Sequence, residues 1–167
     1  MASAVPGSYI LDITVPGRLS ASVGKLGCVT LPAGGYLYVG SAMGGLEGRV
    51  LRHTRACGNG RRHWHIDYVL AKARLESAWL LPSEERLECA LAQTLSRYSA
   101  VVRSGFGSSD CRCTTHFFRL PNMSFEPDAI QRDADVQRKA LEQLMEEATG
   151  VRPLYRAVTQ PGVLSPA

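Results

Sequence analysis

The sequence predicts an α+β fold: a small, mostly antiparallel β-sheet flanked by helices, with an added helix at the C-terminus. Three observations predict it. Short runs rich in β-branched and aromatic residues, SYILDITV at 8–15 and YLYV at 36–39, are bounded by glycine and proline. Residues 45–56 place Leu46, Val50, Thr54 and Cys57 at the spacing of one helix face. Residues 129–149 repeat that period over a longer stretch. The chain has 167 residues and is 45% hydrophobic, enough to bury a core within the size of an ordinary domain. A charged fraction of 20% argues against global disorder.

In chain order, residues 8–15 form the first strand. Between 16 and 35, Pro16, Gly17, Gly24, Gly27, Pro32, Gly34 and Gly35 break the chain, and CVTL at 28–31 makes a short strand in an extra turn or small hairpin. Residues 36–39 form the next strand, and the glycine-rich turn 40–45 leads into the helix 45–56. On that helix Arg49 and His53, four apart, share the flank of the apolar stripe. CGNGRR at 57–62 ends it. HWHIDYVL at 63–70 reads either as a strand or as a helix start. LESAWLL at 75–81 is a strand. Pro82-Ser83 then opens a helix with Ser83 as N-cap. Leu87, Leu91, Leu95 and Tyr98 form its core face, which leaves Glu88 on the border of the core, about 60° from the centre of the face.

Residues 104–115 are a glycine- and serine-rich loop, and HFFRL at 116–120 is a strand. The composition changes at Pro121, so residues 1–120 are read as the main domain and 121–167 as a helical extension and tail. In the extension, Asp128-x-x-Gln131 makes a capping box and Gly150 a C-terminal stop. Ile130, Ala134, Leu141, Leu144, Met145 and Ala148 make an apolar stripe expected to pack on the domain or on a partner. The closing QPGVLSPA reads as a loose tail.

The net charge is +4 and unevenly spread: residues 1–120 hold 14 Lys+Arg against 8 Asp+Glu, and residues 121–167 hold 5 against 7. The positive charge is almost all arginine, the better bidentate phosphate binder. It is densest at Arg49, Arg52, Arg55, Arg61 and Arg62, which points to a polyanionic partner such as nucleic acid. Without an apolar run of membrane length or the pattern of a signal peptide, a cytoplasmic location is expected. The five cysteines read as reduced thiols.

The stretches VGKLG at 23–27, GYLYVGSA at 35–42, GLEGRVLRH at 45–53, HWHIDYVL at 63–70, LEC at 87–89 and FGSSDCRCTTHFF at 106–118 carry a resemblance. So do the triplets Gly7-Ser8-Tyr9 and Tyr38-Val39-Gly40, although their tyrosines stand 29 positions apart. The chain resembles the GIY-YIG nuclease superfamily and, within it, a Uri-like subfamily of uncharacterised, DUF123-type proteins. The resemblance implies the GIY-YIG nuclease fold and a metal-dependent endonuclease that hydrolyses DNA phosphodiester bonds in repair or processing. It implies that Glu88 holds one Mg²⁺ or Mn²⁺, that Arg49 binds the scissile phosphate and that Tyr38 activates or orients water. Tyr9 and His53 then position phosphate or water. Tyr36 shares a strand face with Tyr38 and competes for its role.

Around that centre, Arg52, Arg55, Arg61, Arg62, His63, His65, Ser109 and Asp110 are candidates for contact with nucleic acid, with Ser108, Ser109 and Asp110 forming a turn that offers backbone N–H groups to an anion. Cys111, Cys113 and His116, with His63 or His65, are an alternative set of Zn²⁺ ligands. A non-catalytic nucleic-acid-binding module of the same fold and a zinc-stabilised interaction domain remain as rival readings.

Overall fold

A computed structural model describes residues 4–57, 61–121 and 127–166. The architecture is α+β. Nine strands are present among the described residues: β1 (Gly7–Val15), β2 (Leu19–Ser22), β3 (Cys28–Leu31), β4 (Gly34–Ala42), β5 (Arg74–Pro82), β6 (Ala100–Val101), β7 (Phe117–Arg119), β8 (Leu154–Gln160) and β9 (Val163–Leu164). Four α-helices accompany them: α1 (Leu46–Ala56), α2 (His65–Leu70), α3 (Glu88–Leu95) and α4 (Pro127–Thr149). Seven strands form one antiparallel sheet in the order β6-β7-β4-β1-β5-β8-β9, and β2-β3 stand apart as a hairpin.

β1 lies at the centre of the sheet and is buried on both faces, which is why its sequence is apolar almost throughout. Its alternation assigns each side chain to a layer. Tyr9, Leu11, Ile13 and Val15 join one core with α1, α2 and the β2-β3 hairpin, while Ile10 joins the other with α3 and α4. The helices therefore cover both faces of the sheet. α1 buries Leu46, Val50, His53 and Thr54, so its stripe follows the sequence period. The ambiguous segment 63–70 is resolved as the short helix α2, whose Ile66, Val69 and Leu70 are fully buried.

The hairpin fills the insert at 16–35 as the turn residues predict, and CVTL is β3. Three expectations are corrected. The helix after Pro82 begins at Glu88, not Ser83, whose hydroxyl instead accepts the Glu85 N–H in a local turn. Tyr98 lies past the end of α3 and is 57% exposed, so it leaves the core face. The segment read as a loose tail carries the end of a hairpin: β8 and β9 extend the sheet beyond β5, and the Gly162 N–H donates to Thr54 of α1. Periodicity misses it because an edge hairpin of half-buried residues lacks a clean alternation. Gly150 ends α4 with φ +70°, as expected of a helix stop, and Met145 and Leu141 pack in the second core. The side chains of Ile130, Asp128 and Gln131 lie outside the described residues, as do residues 58–60 of the CGNGRR turn. Among the described residues no helix is long and apolar enough to cross a membrane.

Asp12 points into the α4 layer, where it accepts a hydrogen bond from Ser77 at 3.1 Å. Burial pushes its carboxyl up to about 6, against the Ser77 bond, which pulls it down. A carboxyl raised on folding favours the protonated native state, so its cost is absent below about pH 4 and fully present above its folded value. Asp12→Asn is therefore expected to raise Tm at pH 7.5 by a few degrees, about 2–4 °C per kcal/mol at this size. The gain should vanish near pH 3.5 in thermal melts followed by circular dichroism; a constant gain across that range would rule the account out.

Candidate functional site

Antiparallel pairing sets Tyr9 opposite Gly40 and Leu11 opposite Tyr38. Directly opposed residues point to the same face, so Tyr9 and Tyr38 emerge diagonally on the layer that carries α1 and α2. The β2-β3 hairpin absorbs residues 16–33, between the two strands, without disturbing that register. Gly40 is required by the pairing: a Cβ there would stand 2.4 Å from the Tyr9 hydroxyl oxygen and 2.5 Å from its ring carbon Cζ. The glycine of the Tyr38-Val39-Gly40 triplet is thus the recess into which Tyr9 lies.

Behind Tyr9 runs a buried polar chain. The Tyr9 hydroxyl is 2.8 Å from His53 Nε2, and His53 Nδ1 is 2.9 Å from Asp67 Oδ1. Asp67 also accepts from Arg52 Nη2, the His63 N–H and the Trp64 N–H, each at 2.9 Å. Burial disfavours the carboxylate, but the hydrogen bonds from His53, Trp64 and His63 outweigh it and hold Asp67 well below the usual carboxylate range. An ionised Asp67 makes His53 Nδ1 the donor, which leaves Nε2 to accept the Tyr9 proton. Burial lowers the His53 pKa against the pull of Asp67. Burial is also the main cause that raises the Tyr9 pKa, with Arg49 opposing it.

In front of Tyr9 is an open cleft of about 550 Å³, lined by Tyr9, Tyr38, Arg49, Trp64, Arg86 and Glu88, among others. Arg49 donates to the Ser41 carbonyl at 3.2 Å and lies over the Trp64 ring at 4.6 Å. Those contacts aim a guanidinium along the cleft wall. Glu88 is the first residue of α3, and Ser8 fixes the approach to that helix by accepting the Leu87 N–H at 2.9 Å. Tyr38 packs edge-on to Phe106 and Phe117, and burial pushes its phenol well above its ordinary value. Tyr36, its competitor in sequence, donates to the Pro32 carbonyl at 2.6 Å and does not line the cleft.

The structure thus brings Tyr9, Tyr38, Arg49 and Glu88 to one surface and sets His53 behind it, fully buried. His63, His65, Ser109 and Asp110 also line the cleft. Arg52 is tied to Asp67, and Arg62 lies 5.8 Å over the Tyr68 ring, while Arg55 and Arg61 are exposed on the surface. Asp67 was not singled out by sequence, although an acid three residues after the Trp64 N–H is a helix-start signal.

The 106–116 loop closes the far wall. Phe106 stacks on Phe117 at 4.6 Å, and the His65 ring accepts the Gly107 N–H at 3.1 Å. Next to that wall Cys89, Cys111, Cys113 and His116 place their ligand atoms within 4.8 Å of one another, a Cys₃His cluster able to hold a metal ion. Burial and the neighbouring thiols push Cys113 up to about 12. Neither His63 nor His65 belongs to this cluster; the fourth donor is Cys89.

A family model matches residues 8–138, and its description is a domain of unknown function, DUF123. No curated protein and no solved structure matches the chain. The wider placement among GIY-YIG and Uri-like nucleases is corrected by this finding, because no comparison connects the chain with either. Short triplets such as Gly7-Ser8-Tyr9 are too small a signal to carry a superfamily.

Asp67→Asn is expected to destabilise the fold at pH 7 by about 3 kcal/mol, as removal of one partner from a buried ionic network does. Asp67 is depressed on folding, so its contribution is present above the unfolded carboxylate value and falls away below about pH 4. Denaturant melts of the variant and the parent chain should converge toward acid pH. Parallel curves from pH 7 to pH 3 would mean that Asp67 is not ionised in the folded protein.

Proposed function

Because the chain belongs to the DUF123 family, whose description assigns no function, we propose from the cleft itself that the protein is a metal-dependent endonuclease acting on DNA phosphodiester bonds. The observation that carries this reading is the convergence of Arg49, Glu88 and Tyr9 on one cleft, with Tyr9 backed by His53 and Asp67. Phosphodiester hydrolysis needs a positive charge on the phosphate, an activated water and neutralisation of developing charge. The arginine-rich surface suits a polyanion as long as DNA.

Arg49 binds a non-bridging phosphate oxygen, pre-oriented by Trp64 and Ser41. Tyr9 directs its own proton back to His53, so its oxygen presents lone pairs to the cleft. A water donates its proton to that oxygen as it attacks phosphorus, Tyr9 passes its original proton to His53 Nε2, and the P–O bond to the departing ester oxygen breaks, that alkoxide leaving toward the open side of the cleft and taking a proton from bulk water. The imidazolium so formed lies against the Asp67 carboxylate. The relay needs no free phenolate, which matters because burial raises the Tyr9 pKa. Tyr38 orients the water or the phosphate from the neighbouring strand.

The oxygen donors of Glu88 and Asp110 in the same cleft fit a hard cation, and Glu88 would hold Mg²⁺ or Mn²⁺. Such an ion supplies charge neutralisation at phosphate and a more acidic water.

The test is cleavage of labelled single-stranded, duplex and branched DNA with and without Mg²⁺ or Mn²⁺. Arg49→Ala, Glu88→Gln and Tyr9→Phe are each expected to lower kcat by about 100-fold or more while remaining folded. His53 must be neutral to accept a proton, and its pKa is lowered from 6.5, so activity should fall on the acid side with a midpoint below that value. Salt-sensitive DNA binding with no cleavage under any metal condition would overturn the enzymatic reading and leave a binding module.

A further inference from the structure

We propose that Cys89, Cys111, Cys113 and His116 bind one Zn²⁺ as a closed structural site that clamps the 106–116 loop to the start of α3. The four donors come from two segments far apart in sequence, and all lie within 4.8 Å of one another. A tetrahedral zinc with Zn–S of about 2.3 Å and Zn–N of about 2.0–2.1 Å requires S···S edges near 3.8 Å and S···N edges near 3.6 Å. Cys111 Sγ and His116 Nε2 are already 3.5 Å apart. The cluster needs only a slight contraction to close on an ion.

His116 is prepared as a ligand. Its Nε2 faces Cys111 at 3.5 Å. His116 is fully buried, and its backbone is held on both sides, its N–H donating to the Phe106 carbonyl at 2.8 Å and its carbonyl accepting from Val39 at 2.9 Å. All the cysteines are free thiols. Three soft sulfurs and one imidazole in a compact set select zinc over a hard cation. Four protein donors leave no open position, so the ion is structural rather than catalytic.

The location gives it a purpose. Cys89 directly follows Glu88, and Ser109 and Asp110, which line the cleft, directly precede Cys111. One ion therefore fixes two walls of the cleft relative to each other. It also explains how a loop with little secondary structure of its own keeps a defined shape. The inference rests on the donor cluster and not on the cleavage reading, and its readouts need no activity.

The test is metal analysis of the full-length protein purified without chelator. About one Zn²⁺ per chain is expected, with less than about 0.2 per chain in Cys89→Ser and Cys113→Ser. Cys28→Ser, outside the cluster, should keep its zinc, as should Glu88→Gln. Chelator should lower the Tm of the parent chain by about 10 °C or more and leave the Cys89→Ser variant unmoved. If the serine variants do not fold, Co²⁺ titration of the chelated parent protein replaces them. A single equivalent should then give the visible bands of a tetrahedral, thiolate-bound ion. Zinc below about 0.2 per chain in the parent, with no cobalt signal, overturns the proposal, as does a mass loss showing a disulfide among the three cysteines.

Discussion

A carboxylate sealed from water is tolerated only when it is well hydrogen-bonded, and Asp67 accepts four hydrogen bonds. Arg52 and His53 come to it from α1, and two backbone N–H groups come from the turn that enters α2. The group therefore ties α1 to the turn that enters α2. Across the same junction the Arg49 guanidinium lies over the Trp64 ring. Through His53, Asp67 also sets the direction of the Tyr9 proton. The cleft wall and its tyrosine thus both depend on one buried charge.

The opposite constraint is steric. Tyr9 lies in the space that a side chain at position 40 would fill, so the β1-β4 register and the missing Cβ at Gly40 are one requirement seen twice. A one-residue slip of β1 against β4 would turn Tyr9 to the α3–α4 face while Tyr38 stayed, and so part the two tyrosines. Gly107 plays a similar part on the far wall, where φ +71° and a Cβ position 2.8 Å from the Tyr38 ring exclude any larger residue. The aromatic stack of Phe106, Phe117 and Tyr36 then anchors the loop from below.

Two kinds of ligand chemistry sit back to back across residues 88 and 89. The carboxylate of Glu88 faces the cleft with oxygen neighbours, while the thiol of Cys89 faces a sulfur-rich cluster. Adjacent residues at a helix start diverge by about 100°, which is enough to turn the Glu88 carboxylate to the cleft and the Cys89 thiol to the cluster. The loop 106–116 serves both sides in the same way, with Ser109 and Asp110 turned to the cleft and Cys111 and Cys113 turned away.

Much of this was legible from the sequence alone, because it depends on local pattern. The α+β class, the central strand, the inserted hairpin, α1 and the stop at Gly150 follow from period and turn chemistry, which act over a few residues. The tertiary structure alone decided what distant residues do to one another. It buried His53 behind Tyr9 instead of in the cleft, brought Asp67 to it, committed Tyr36 to the Pro32 carbonyl, and supplied Cys89 as the fourth donor where a histidine was expected. It also turned an apparent tail into an edge hairpin docked on Thr54. Each of these depends on separations of many residues closed by sheet register and helix packing, and local periodicity carries no information about which distant faces will meet.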